Sequence, residues 1–80
     1  MKKLKNIGLQ HLNKWIETHE KNAECIDCIE GVLLDSLLYS TPGGLIAFIE
    51  TYETANSSTY TVIWGNKNEI FTEWEKLKEE

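Results

Sequence analysis

Arginine is absent from this chain, and all eight basic residues are lysine. The guanidinium fork reads base edges and grips phosphates at two points. Without it, and with 13 acidic residues bringing the net charge to −5, a nucleic-acid surface loses its fork and its counterion-release drive. Direct nucleic-acid binding is not expected. No apolar run approaches the roughly 20 residues of a membrane span. The basic start, Met1-Lys2-Lys3-Leu4-Lys5, leads into a polar amphipathic stretch instead of the apolar segment of a secretory signal. Only two cysteines occur, Cys25 and Cys28, too few for the disulfide framework of a small secreted domain. The expectation is a cytoplasmic protein without membrane association. There is no G-x-S-x-G elbow, no H-E-x-x-H pair and no phosphate-cradling glycine loop. Gly43-Gly44 follows the single proline, Pro42, and reads as turn chemistry. No catalytic residue is singled out, and an enzyme is not expected.

What remains is enough for one small domain, residues 1–80. A chain of this length buries only about 60–65% of the surface its unfolded form exposes. Hydrophobic residues make up 41% of it, a globular proportion. Leu9, Leu12, Trp15, Ile16 and His19 recur at spacings of three and four, which marks one face of a helix over about 6–20. Residues 22–40 are ambiguous. Asn22 can cap a short helix through Glu30, with Cys25, Ile26, Cys28 and Ile29 on its apolar side. That helix could extend to Tyr39, but Gly31 inside it costs about 1 kcal/mol. A strand at about 33–40 is preferred, because Thr41-Pro42-Gly43-Gly44 joins it to a second apolar run.

The stretch 45–64 reads as a β-hairpin. Leu45–Tyr52 and Thr59–Trp64 are rich in β-branched and aromatic residues, with Ala55-Asn56-Ser57-Ser58 between them. With Asn56-Ser57 at the turn centre, Tyr52 pairs with Thr61 and Ile49 with Trp64. Leu45, Ala47, Ile49, Val62 and Trp64 then share the core face. Ile46, Phe48, Tyr52 and Ile63 share the other, and need cover from a helix, a second copy or a foreign partner. Strand three runs to about residue 65. Asn68 is placed to cap a last helix over 68–79, with Ile70, Phe71, Trp74 and Leu77 inward. The fold class is thus α+β: a small antiparallel meander with strands at about 33–40, 45–54 and 59–65, between an N-terminal and a C-terminal helix.

Cys25-x-x-Cys28 is the sharpest local motif. Zinc takes about four ligands and this pair supplies two. His11 and His19 stand upstream, but eight residues apart on one helix they reach a common site with difficulty. A four-thiolate site shared across a symmetric dimer is the simpler completion. Redox chemistry is disfavoured, because Glu24, Asp27 and Glu30 place negative charge where a thiolate would form. Two packed cysteines on a helical face explain the pair without any ligand. No other cofactor is implied.

The carboxylates Glu17, Glu20, Glu24, Asp27 and Glu30 recur through one stretch, and Glu73, Glu75, Glu79 and Glu80 close the chain. They read either as a solvated face or as a surface for a basic partner. Small size, acidity and a lysine- and asparagine-rich composition are shared with phage and mobile-element accessory proteins, many of which block a host enzyme as anti-CRISPR inhibitors do. The expectation is a non-enzymatic protein–protein interaction module or inhibitor. Its partner surface comprises Ile46, Phe48, Glu50, Tyr52 and Ile63 on the sheet with Glu24, Asp27 and Glu30. The partner would be a basic, nucleic-acid-handling enzyme, or a second copy in a homodimer. The alternative is a zinc-dependent or redox-responsive regulator built on Cys25 and Cys28.

Overall fold

The computed structural model describes residues 1–19 and 22–79. Seven elements follow in order: β1 (Lys2–Ile7), α1 (Leu9–His19), β2 (Glu24–Glu30), β3 (Leu34–Thr41), β4 (Gly44–Thr54), β5 (Ser57–Gly65) and α2 (Lys67–Lys78). The strands form one sheet in the order β1-β5-β4-β3-β2, antiparallel at every step. The architecture is α+β, a meander flanked by helices. Strands β2 to β5 run as consecutive hairpins, and α1 carries the chain from β1 at one edge to β2 at the other. Among the described residues no helix is long and apolar enough to cross a membrane.

The sheet separates two cores. On one face Leu38, Leu45, Ala47 and Ile63 pack beneath Ile70 and Trp74 of α2. On the other, Ile46 and Val62 pack with Ile7 and with Leu12 of α1. Each fully buried aliphatic side chain contributes about 1.5–3 kcal/mol. Both faces of the hairpin are therefore covered within the chain, although α1 does not extend over β2.

Five sequence expectations change. The basic start is the edge strand β1, which the lysines disguise. Residues 24–30 form a strand, so the short helix over 22–30 is not present. The α1 helix begins at Leu9, and its expected last residue, Glu20, lies outside the described residues. The C-terminal helix is capped by Asn66, whose Oδ1 accepts the Glu69 N–H at 3.0 Å. Asn68 lies within that helix.

The hairpin register is the fifth correction. Ala55 and Asn56 make the turn, and Thr54 stands opposite Ser57. Ile49 faces Thr61 and Tyr52 faces Ser58, three residues along from the expected partners. Because side chains alternate with a period of two, an odd shift exchanges the faces of one strand. Val62 and Trp64 thus join Ile46 and Phe48 beneath α1, while Ile63 joins Leu45 and Ala47 beneath α2.

Candidate interaction surface

The α1 helix covers only part of its face of the sheet. It presents Leu12, Trp15 and Ile16 to Leu4 and Ile7 of β1, Val62 and Trp64 of β5, and Ile46 of β4. The Trp15 ring meets Phe48 edge-on at 5.7 Å and Trp64 at 5.2 Å, and stacks on His19 at 3.8 Å. Beyond this aromatic margin the β2–β3 side of the face stays open. Leu37, Cys25 and Cys28 are exposed there, and Phe48 is half-buried against Tyr39. A cleft of about 140 Å³ runs between Leu12 and Ile16 on one side and Leu37, Asp35 and Glu50 on the other.

Strand register aligns a row of carboxylates at one end of this surface. Glu30 stands opposite Asp35, Asp35 opposite Glu50, and Glu50 opposite Tyr60. Adjacent strands lie about 4.8 Å apart, and like charges directly opposite destabilise a sheet. The Tyr52 hydroxyl offsets this. It donates to Asp35 Oδ2 at 2.5 Å and lies 3.2 Å from Glu50 Oε1. The Ser58 hydroxyl donates to Glu50 Oε2 at 2.7 Å. The Asp35 contact, partial burial and Glu50 together push the Tyr52 phenol well above its ordinary pKa. A phenol held protonated between carboxylates is a donor and a poor base or nucleophile.

The expected partner-binding residues divide three ways. Phe48, Glu50, Tyr52 and Glu30 share this open surface. Ile46 and Ile63 are buried on opposite faces, 4% and 3% exposed, so neither can meet a partner in the folded chain. Glu24 and Asp27 point to the α2 face. Asp27 is committed there: Oδ2 accepts from the Trp74 indole and the Lys78 ammonium at 2.9 Å each, and Oδ1 accepts the Cys28 N–H at 2.9 Å. Lys78, the Trp74 indole and the Cys28 amide hold its carboxyl below the usual carboxylate range. Asp35 and Leu37 belong to the surface and were not singled out from the sequence. The alternation Asp35, Leu37, Tyr39 was their signal, once 34–41 is read as a strand.

The histidines do not join the cysteines. His11 is exposed on α1, and His19 Nδ1 lies 2.8 Å from the Trp15 carbonyl oxygen. Among the described residues, no three His, Cys, Asp or Glu side chains of one chain converge as a metal site. Comparison with protein-family models, curated proteins and solved structures finds no match.

Proposed function

We propose that this chain is a non-enzymatic protein–protein interaction module that engages a basic, partly apolar surface of its partner. The observation that carries this reading is the carboxylate row Glu30, Asp35 and Glu50 beside exposed Leu37 and half-buried Phe48. Apolar area next to oriented charge is the composition of a specific interface, with complementarity setting the partner and the on-rate. A basic nucleic-acid-handling enzyme suits such a surface, since its cleft is built to receive phosphates.

The test is binding to a candidate basic enzyme across a salt series, with an oligonucleotide as competitor. The triple variant Glu30→Lys/Asp35→Lys/Glu50→Lys is expected to lose binding and its salt dependence, with circular dichroism confirming the fold. The control Glu73→Lys/Glu75→Lys, on α2 away from this surface with Glu73 half-buried and Glu75 exposed, is expected to bind as the parent does. Equal loss in both would refute this surface and leave only a general charge effect. Undiminished binding by the triple variant would refute the reading outright.

A further inference from the structure

We propose that Cys25 and Cys28 are half of a four-thiolate site for zinc or a similarly soft divalent cation, completed when the β2 edges of two copies pair antiparallel. In a regular strand, residues three apart point to opposite faces. Here a bulge intervenes. Cys25 pairs with Tyr39, Asp27 with Leu38 and Cys28 with Leu37, so Ile26 is the extra residue. Tyr39 and Leu37 share the α1 face, and both thiols therefore stand on that face too.

The bulge is clamped from within the fold. Asp27, the residue after it, receives the amide of Cys28 and is gripped by the indole of fully buried Trp74. Bulges fixed in this way re-aim side chains. The thiols end up one same-face step apart, about 6.6 Å along the strand. That is near the upper limit for a disulfide, and side-by-side Cβ bonds do not converge as one requires. Tetrahedral zinc with bonds of about 2.3 Å needs sulfurs only about 3.8 Å apart, which rotation of the two side chains can supply.

One chain offers two thiolates, and zinc wants four. The outer edge of β2 can bring the other two. It has no neighbouring strand among the described residues, both cysteines are exposed, and Ile26 is 47% exposed. Pairing about a two-fold axis normal to the sheet keeps both α1 faces on one side, so all four thiols rise together. With Cys25 opposite Cys28 of the second copy, Glu24 falls opposite Ile29 and Glu30 opposite Ala23. No two carboxylates then oppose each other directly. Binding releases one proton from each thiol, four per metal, to solvent. The thiols adjoin the acidic surface above, with Glu30 at the border, but the site does not rest on that surface's proposed function.

The test titrates the reduced, metal-free chain with Zn²⁺ alone while mass is followed by light scattering, and repeats it with Co²⁺ as an optical probe. The expected endpoint is one metal per two chains, a doubled mass reversed by chelator, and the thiolate charge-transfer and d–d bands of tetrahedral cobalt. Cys25→Ser and Cys28→Ser, checked for fold by circular dichroism, are each expected to abolish all three. Ile26→Glu keeps both thiols but sets a carboxylate opposite Asp27 of the second copy, and is expected to weaken metal-dependent dimerisation roughly tenfold. A mass that stays monomeric overturns the proposal. So does one metal per chain, or dimerisation unchanged in Ile26→Glu.

Discussion

Asp27 ties the sheet edge to the buried centre of α2. Its carboxyl is held low by Lys78, the Trp74 indole and the Cys28 amide, which fixes the sign of its pH dependence. A group with a depressed folded pKa stabilises above its unfolded value, about 3.9 for aspartate. It loses that contribution as pH falls through the lower folded value. Asp27→Asn is therefore expected to be less stable than the parent at neutral pH, with a gap that closes in acid. Salt should narrow the gap, because the pair is partly exposed. Thermal melts from pH 7 to pH 2 check this, and a gap persisting to pH 2 would mean that uncharged contacts do the holding. Ser36 supplies a prediction of opposite sign. It is 3% exposed, and its hydroxyl has no hydrogen-bond partner among the described residues. An orphaned buried hydroxyl costs about 1–3 kcal/mol, so Ser36→Ala is expected to stabilise by about 1 kcal/mol in urea unfolding. Destabilisation instead would reveal an ordered water on that oxygen. Neither role was legible in sequence. Asp27 looked like one of several surface acids, and Ser36 carried no signal of its own within an ambiguous run.

At the scale of elements, one device explains the main misreadings. Both edge strands carry a bulge that puts residues three apart on the same face. In β1, Asn6 adopts φ 53° and the register shifts, so Leu4 and Ile7 both point beneath α1. In β2, the extra Ile26 does the same for Cys25 and Cys28. Same-face spacing of three is the sequence mark of a helix, so Cys25, Ile26, Cys28 and Ile29 imitated one. The centre of the sheet was easier. Strands 34–41 and 44–54 and both helices were visible from composition and turns, because the one register shift between β4 and β5 falls at Tyr52/Thr54, beside the turn. The β4–β5 register was not visible, since the turn chemistry of 55–58 admits more than one centre. At the β3–β4 turn, Gly44 has φ 147°, and a Cβ there would stand 2.0 Å from the Gly65 carbonyl oxygen. The obstruction is backbone, so no side chain can move away. Gly44→Ala is expected to cost about 2 kcal/mol or more. Gly43→Ala, with open space around its Cβ position, serves as the control. Equal costs at the two positions would remove the close approach as the cause.

The whole molecule is a single sheet with a helix packed on each face, and that arrangement answers what covers the second face of the hairpin. Ile46 looked available for a partner only because the register and the reach of α1 were unknown. The surface left over is the smaller β2–β3 side, where Asp35 and Leu37 replace Ile46 and Ile63 beside Glu30, Glu50 and Tyr52. The same layering bears on cooperativity. Strand β4 is paired on both sides and contributes Leu45 and Ala47 to one core and Ile46 to the other. Damage to either core should therefore reach the same backbone hydrogen bonds. Native-state hydrogen exchange can read this directly, because amides opened only by global unfolding report the global stability. The slowest amides are expected in β4 and its neighbour β5, and the fastest strand amides on the outward side of β2. Leu12→Ala on the inner face of α1 and Ile70→Ala on the inner face of α2 each remove a buried branched side chain, at about 2–5 kcal/mol. Both are expected to lower the protection of the same β4 amides. If Leu12→Ala instead strips protection from α1 and leaves β4 untouched, α1 is a separately opening flap. The partner surface would then extend beneath it to Ile46, Val62 and Trp64.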